Sequence, residues 1–331
     1  MRICVVGAGA IGGMLAVRLA LTGHEVSVVI RGANLAAVRA DGMRLIMGGE
    51  EQVARVTASD DIASLGPQDL VILGMKAHGV AAVAPQLAAL NGPDTVVMTA
   101  QNGIPWWYFH KLAGPWEGRR LESVDPGGAI AANIDADRVI GSIVYPAAEL
   151  ERPGVIRHIE GNRFSLGELD GADTERVRRV AQALRDAGLK APIASDIRSE
   201  LWVKLWGNCT FNPISALTHA TLEDICRFPE TRELAASMMR EAQAIGEALG
   251  VRFAVSLDKR IAGAQAVGAH KTSMLQDVEM GRPIELAALL GSVIELGRIV
   301  DKPVTHLQAV HALASLLSRT LAAKNGRLAI T

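Results

Sequence analysis

Lys204, Asn208 and Asn212 recur at every fourth position of the run Glu200-Leu-Trp-Val-Lys204-Leu-Trp-Gly-Asn208-Cys-Thr-Phe-Asn212-Pro213. On an α-helix each member of such a series lies about 40° round from the last, so one ammonium and two amides share a single stripe. Leu201, Trp202, Val203, Leu205, Trp206, Cys209 and Phe211 fill most of the remaining positions, and a helix apolar on nearly every side is a buried one. An ammonium on a buried helix needs polar partners or a lowered pKa, because burying an unpaired charge is costly. Both conditions suit a proton donor, and Lys204 is the candidate. The ordinary alternative is a lysine whose stem covers apolar surface and whose head stays in water. Two asparagines on the same stripe, whose amides also need partners once buried, weigh against it. Pro213 is expected to kink or end the helix where the stripe finishes.

A second pattern opens the chain. The strand-like Arg2-Ile-Cys-Val-Val runs into Gly7-Ala8-Gly9-Ala10-Ile11-Gly12-Gly13 and then an apolar helix. This G-x-G-x-x-G context suits a dinucleotide. Gly7 permits the tight turn, Gly9 lets backbone N–H groups approach a pyrophosphate, Gly12 lets the helix pack close to the strand, and the helix N-terminus attracts the anion. A second strand, Val26-Ser-Val-Val-Ile30, ends in Arg31. An NAD site of this type carries Asp or Glu about 20 residues past the fingerprint to accept from the ribose 2′-hydroxyl. A guanidinium instead clasps a 2′-phosphate, so the expected preference is for NADP over NAD.

A third group is His270-Lys-Thr-Ser273-Met-Leu-Gln276-Asp277, followed by Gly281-Arg-Pro-Ile-Glu285. Taken alone, Ser273 reads as a helix N-cap and Glu285 as a first-turn acid that compensates the helix dipole.

These groups need elements to hold them. Strand and helix signals alternate through the first half: strand 2–6, helix 11–21, strand 26–30, a hairpin across 44–46 and 53–56, strand 69–74, helix 80–90 and strand 95–99. That is the βαβ rhythm of a parallel sheet. A Pro-, Gly- and aromatic-rich stretch then intervenes over 105–128, and loops of this length are usually functional. Alternation resumes at 139–145, 154–158 and 163–167, which predicts antiparallel strands added to the sheet, before a helix near 173–187. From 198 onward only helical periodicity remains, at 198–217, 230–249, 272–280, 284–300 and 304–322. The expectation is an α/β Rossmann-type N-terminal domain over 1–196 and an all-α C-terminal domain over 197–331. A length of 331 residues fits two domains.

A net charge of −1 argues against a nucleic-acid partner. No uncharged stretch is long enough to span a membrane. Cys4, Cys209 and Cys226 have neither metal-ligand spacing nor a disulfide pattern, so no metal is expected and the cytoplasm is the expected location.

With the glycine fingerprint, Arg31, Gln101-Asn102-Gly103 after a strand, the Lys204/Asn208/Asn212 stripe and Ser273-Met-Leu-Gln-Asp with Glu285 in view, the chain resembles the ketopantoate reductases from end to end. The resemblance implies a Rossmann-type domain joined to a helical one, and NADPH-dependent reduction of a 2-oxo acid, ketopantoate (2-dehydropantoate) first, as in pantothenate biosynthesis. It makes Lys204 the general acid for the ketone oxygen. Asn208 and Asn212 become substrate-binding residues, Glu285 the acceptor for a substrate hydroxyl and Ser273 a contact to the substrate carboxylate. Asn102 is implied to bridge the nicotinamide ribose and the substrate. Gly7, Ala8, Gly9, Ala10, Ile11, Gly12, Arg31 and Lys76 are implied to grip the cofactor. The long apolar helices of 284–322 leave surface on which a homodimer could pair.

Departures from the family pattern bear on the substrate. The 105–128 stretch is longer than in a minimal member and follows Asn102 closely. The run after Glu285, Leu-Ala-Ala-Leu-Leu-Gly291, has Ala287 and Leu290 where the family pattern is polar. Three alternatives therefore stand beside the first reading: a reductase for a more apolar 2-oxo acid, a catalytically silent NADP-binding regulator, and a β-hydroxyacid or phosphogluconate-type dehydrogenase.

Overall fold

The computed structural model describes residues 1–327, and the chain divides into two compact units, Met1–Glu200 and Leu201–Thr331. The expected join at 196/197 lies at the start of a helix, and the division falls inside it.

In the first unit β1 (Arg2–Val6), α1 (Ala10–Ala20), β2 (Glu25–Val29), α2 (Gly32–Asp41), β3 (Met43–Met47), β4 (Glu50–Ala54), β5 (Thr57–Ser59), β6 (Gln68–Leu73), the single turn α3 (Val80–Val83) and β7 (Asn91–Thr99) follow in order. Then come β8 (Val139–Val144), β9 (Ala147–Arg152), β10 (Val155–Glu160), β11 (Phe164–Glu168) and α4 (Glu175–Asp186). A seven-stranded sheet has the order β11-β8-β7-β6-β1-β2-β5, and a four-stranded sheet the order β4-β3-β10-β9.

The expectation for residues 139–168 needs correcting. β8 pairs parallel to β7, β11 alone is antiparallel in the large sheet, and β10 leaves it to pair parallel with β3. The residues that send β10 away lie on α1. A Cβ at Gly13 would come within 2.6 Å of the Ile156 side chain, so the small sheet packs directly on the helix. Gly12 does the same toward the large sheet, where a Cβ would strike the Gly7 carbonyl oxygen. With Met14, Leu15, Ala16, Val17 and Leu19 fully buried, α1 is the centre of this unit's core rather than a helix on one face of a sheet.

The start of the 105–128 stretch is also core, whereas 111–120 is largely exposed. Trp107, Tyr108 and Phe109 are buried, and the Trp107 indole donates to Thr99 Oγ1 at 3.1 Å. The buried Arg198 guanidinium donates to the backbone carbonyls of Tyr108, His110 and Leu169, which fixes the segment without a carboxylate.

The second unit is helical: α5 (Ile197–Thr218, begun in the first unit), α6 (Leu222–Arg227), α7 (Pro229–Ala248), α8 (Leu257–Ala266), α9 (Ser273–Glu279), α10 (Ser292–Ile299) and α11 (Thr305–Ala323). Pro213 does not end α5, which runs on to Thr218 with the proline inside it. The predicted helix 80–90 is one α-turn followed by a 3-10 segment, Ala84–Leu90. The predicted helix 284–300 begins with a π-helical turn over Ala287–Gly291.

Candidate active site

Within the first unit, the large sheet positions the candidate cofactor residues. From β1 the chain moves outward through β2 and β5, then returns to the other side of β1 with β6 and β7. That reversal makes the carboxyl ends of β1 and β6 the place where an open α/β sheet holds a ligand. Gly7–Gly12 follows β1, Arg31 follows β2, Lys76 follows β6 and Asn102 follows β7, so all the expected cofactor residues stand at that edge.

The glycine turn has the three properties predicted for it. Gly7 has a φ of +87°, and a Cβ there would lie 2.6 Å from Met75 Cβ. Gly12 is pressed against the turn, and Gly74 closes the same contact, its Cβ position lying 2.8 Å from Gly12 Cα. A Cβ at Gly9 would meet nothing within 4 Å. That open space lies at the N-terminus of α1, whose cap residue is Gly9 itself, with no side chain to occupy the first-turn donors. Backbone donors with open space before them are what a pyrophosphate requires. Arg31 is exposed, in extended backbone at the N-cap of α2, just past the end of β2. The residues present therefore fit a dinucleotide.

Asn34, on α2, was not anticipated. Its amide donates to the Ala8 carbonyl at 3.4 Å and accepts from Gly154 N–H at 2.7 Å, tying the glycine turn to the small sheet. No sequence signal marks it, since an asparagine inside an ordinary helix has no motif.

In the second unit α5 presents the polar stripe. Its rotation is locked by aromatic packing. The Trp206 indole donates to the Met239 carbonyl of α7 at 2.7 Å, and the Trp206 and Trp202 rings meet Phe253 at centroid distances of 4.7 and 6.4 Å. Leu205, Cys209 and Phe211 are buried as expected, Lys204 and Asn208 are partly buried, and Asn212 is buried. Desolvation pulls the Lys204 ammonium down from 10.5 to about 8, and the Glu285 carboxylate acts in the opposite sense. Lys204 and Glu285 are thus brought together electrostatically from segments 81 residues apart, Glu285 standing just before the π-turn rather than inside a helix.

Ser273 is not an N-cap. Thr272 fills that role, its hydroxyl accepting from Leu275 N–H, and Ser273 is the exposed first residue of α9. Of the two departures after Glu285, Leu290 is fully buried and belongs to the core, while Ala287 is exposed. Among the described residues no cluster of three or more His, Cys, Asp or Glu could hold a metal ion, and no helix is long and apolar enough to cross a membrane.

Comparison with known proteins places the chain in a family. The family model described as ketopantoate reductase PanE/ApbA matches residues 3–113, and the model for the C-terminal part of the same family matches 196–318. A 2-dehydropantoate 2-reductase of Mesorhizobium japonicum is 57% identical over 319 residues, 96% of this chain and 98% of that protein. A crystal structure assigned as a ketopantoate reductase from Ralstonia solanacearum MolK2 superposes with a TM-score of 0.93 at 42% identity, covering 96% of this chain and 98% of that one. A D-mandelate dehydrogenase solved with NADH and anilino(oxo)acetate shares the fold alone, at 19% identity and a TM-score of 0.81, covering 97% of this chain and 100% of that one. The chain belongs to the ketopantoate reductase family, a family of nicotinamide-dependent oxidoreductases.

Proposed function

We propose that this chain reduces 2-dehydropantoate to pantoate with NADPH, Lys204 delivering the proton. The observation that carries the reading is the Lys204 ammonium, pulled to about 8 by desolvation with Glu285 acting against that pull. An acid of that strength is largely protonated at neutral pH and still gives up its proton readily.

When bound, the nicotinamide supplies a hydride to the substrate's carbonyl carbon. Lys204 stabilises the negative charge that gathers on the carbonyl oxygen and transfers a proton to it, leaving a neutral amine that solvent reprotonates. Glu285 accepts from the substrate hydroxyl, Ser273 donates to the carboxylate, and Asn208 and Asn212 orient the acid from the same stripe as Lys204. Asn102 contributes to both ligands. Gly7, Ala8, Gly9, Ala10, Ile11 and Gly12 cradle the pyrophosphate, Lys76 lies beside the cofactor, and Arg31 selects the 2′-phosphate and with it NADP over NAD.

The core position of Leu290 favours the hydroxylated substrate over a more apolar acid, because that departure from the family pattern is repacking. Retention of Lys204 and Glu285 favours an enzyme over a silent regulator, which needs neither group. Three buried free thiols accord with a reducing, cytoplasmic location. Leu313 and Leu316, exposed on α11, offer an apolar face for a second copy of the chain. The test is a panel of 2-oxo acids assayed with NADPH and with NADH. Highest kcat/KM for 2-dehydropantoate with NADPH supports the reading, and preference for another acid or for NADH refutes that part of it.

A further inference from the structure

The run Leu286-Ala-Ala-Leu-Leu290 is made of strong α-helix formers, yet its backbone does not keep the α register. The Ser292 N–H donates to the Ala287 carbonyl, five residues back, where an α-helix would use Ala288. The Ala288 carbonyl receives the Ser292 hydroxyl instead, at 2.7 Å, and Ser292 is fully buried. A side chain has replaced the backbone donor that the wide turn took away.

Rotation is what this turn controls. Downstream, Val293 and Leu296 are fully buried and Ile294 nearly so, so packing fixes the rotation of α10. Upstream, Leu289 N–H bonds to the Glu285 carbonyl at 3.4 Å by the ordinary four-residue step, which places Glu285 directly ahead of the widened turn. One extra residue in a turn rotates everything before it by about 100° relative to everything after it. An α-register through 287–291 would therefore swing Glu285 away from its present direction, in which its carboxylate acts on Lys204.

We propose that the π-turn Ala287–Gly291, held open by the Ser292 hydroxyl, is what aims Glu285 at the substrate's hydroxyl group, and that Ser292 is a positioning residue for substrate selection. This rests on the reading of Glu285 as the hydroxyl acceptor. π-turns cost helical hydrogen bonding and are frequent at functional sites.

The test compares 2-dehydropantoate with trimethylpyruvate, which differs only in lacking that hydroxyl. The readout is the ratio of the two kcat/KM values for each enzyme, which does not depend on the fraction of protein folded. Ser292→Ala lowers the ratio about tenfold, as expected for one weakened charge-assisted hydrogen bond, through KM for 2-dehydropantoate. Deleting Ala287, which restores the α register, abolishes the discrimination. Glu285→Gln lowers the ratio at least as far as Ser292→Ala. A wild-type ratio in Ser292→Ala and in the deletion, with a lowered ratio in Glu285→Gln, overturns the positioning role and leaves the Glu285 reading intact. An unchanged ratio in Glu285→Gln overturns the Glu285 reading, and the inference falls with it.

Discussion

Glu285 and Lys204 oppose one another in setting a single pKa: burial drives the ammonium down to about 8 while the carboxylate holds it up. The acid form is the active one, so kcat/KM is predicted to be level below that value and to fall as pH rises through it. Glu285→Gln removes the upward influence, and the alkaline limb moves to lower pH. A pH–rate profile of the two enzymes checks both the position and the direction of the shift.

The same depression has a consequence for stability. Folding lowers the pKa of this amine from 10.5 to about 8, so folding penalises the protonated form. The penalty is present in full below about 8 and is relieved as pH approaches 10.5, so this group's contribution to stability rises across that window. Lys204→Met, which keeps the stem and removes the charge, should melt at a higher temperature than the parent at neutral pH. Calorimetric Tm values for the two proteins decide it.

The glycines of the turn should separate binding from folding. Gly9→Ala places a methyl in open space and should leave Tm unchanged while weakening NADPH by about tenfold or more, because the pyrophosphate approaches there. Gly12→Ala drives a methyl onto the Gly7 carbonyl and should cost about 1–3 kcal/mol of stability as well. Thermal melts and NADPH titrations of both variants give the comparison.

Arg31→Ala should weaken NADPH far more than NADH, since only the former carries the 2′-phosphate. Equal weakening of both, measured by fluorescence titration, removes the phosphate role from Arg31.

Away from the site, the Glu241 carboxylate of α7 accepts from His306 N–H, Leu307 N–H and the His306 ring, with contacts of 2.7–3.1 Å, and so caps α11. Glu241→Ala orphans these donors and should cost about 1–3 kcal/mol. Denaturant unfolding should register the loss as a lower midpoint.

What could be read from the sequence followed how local each feature is. The glycine turn, with spacings of two and three residues, and the α5 stripe, with a spacing of four, are local, and both lie on the elements expected of them. The move of β10 into a second sheet depends on Gly13 meeting Ile156, a contact across 143 residues that alternation cannot encode. α2 escaped notice because only Leu35 and Val38 among its residues are buried, too few to mark a periodic face. The 105–128 stretch reads as an irregular loop and is one, but its buried start could not be foreseen, because Arg198 and Thr99, which hold it, lie outside it. The π-turn is invisible in Leu-Ala-Ala-Leu-Leu, whose propensities all point to an α-helix, until the Ser292 hydroxyl is placed on Ala288.

The most direct measurement is NADPH oxidation by Lys204→Ala with 2-dehydropantoate, alongside NADPH affinity of the same protein. A general acid at Lys204 predicts a fall in kcat of about 10²–10⁴-fold with little change in NADPH affinity. Turnover close to that of the parent enzyme would contradict the assignment.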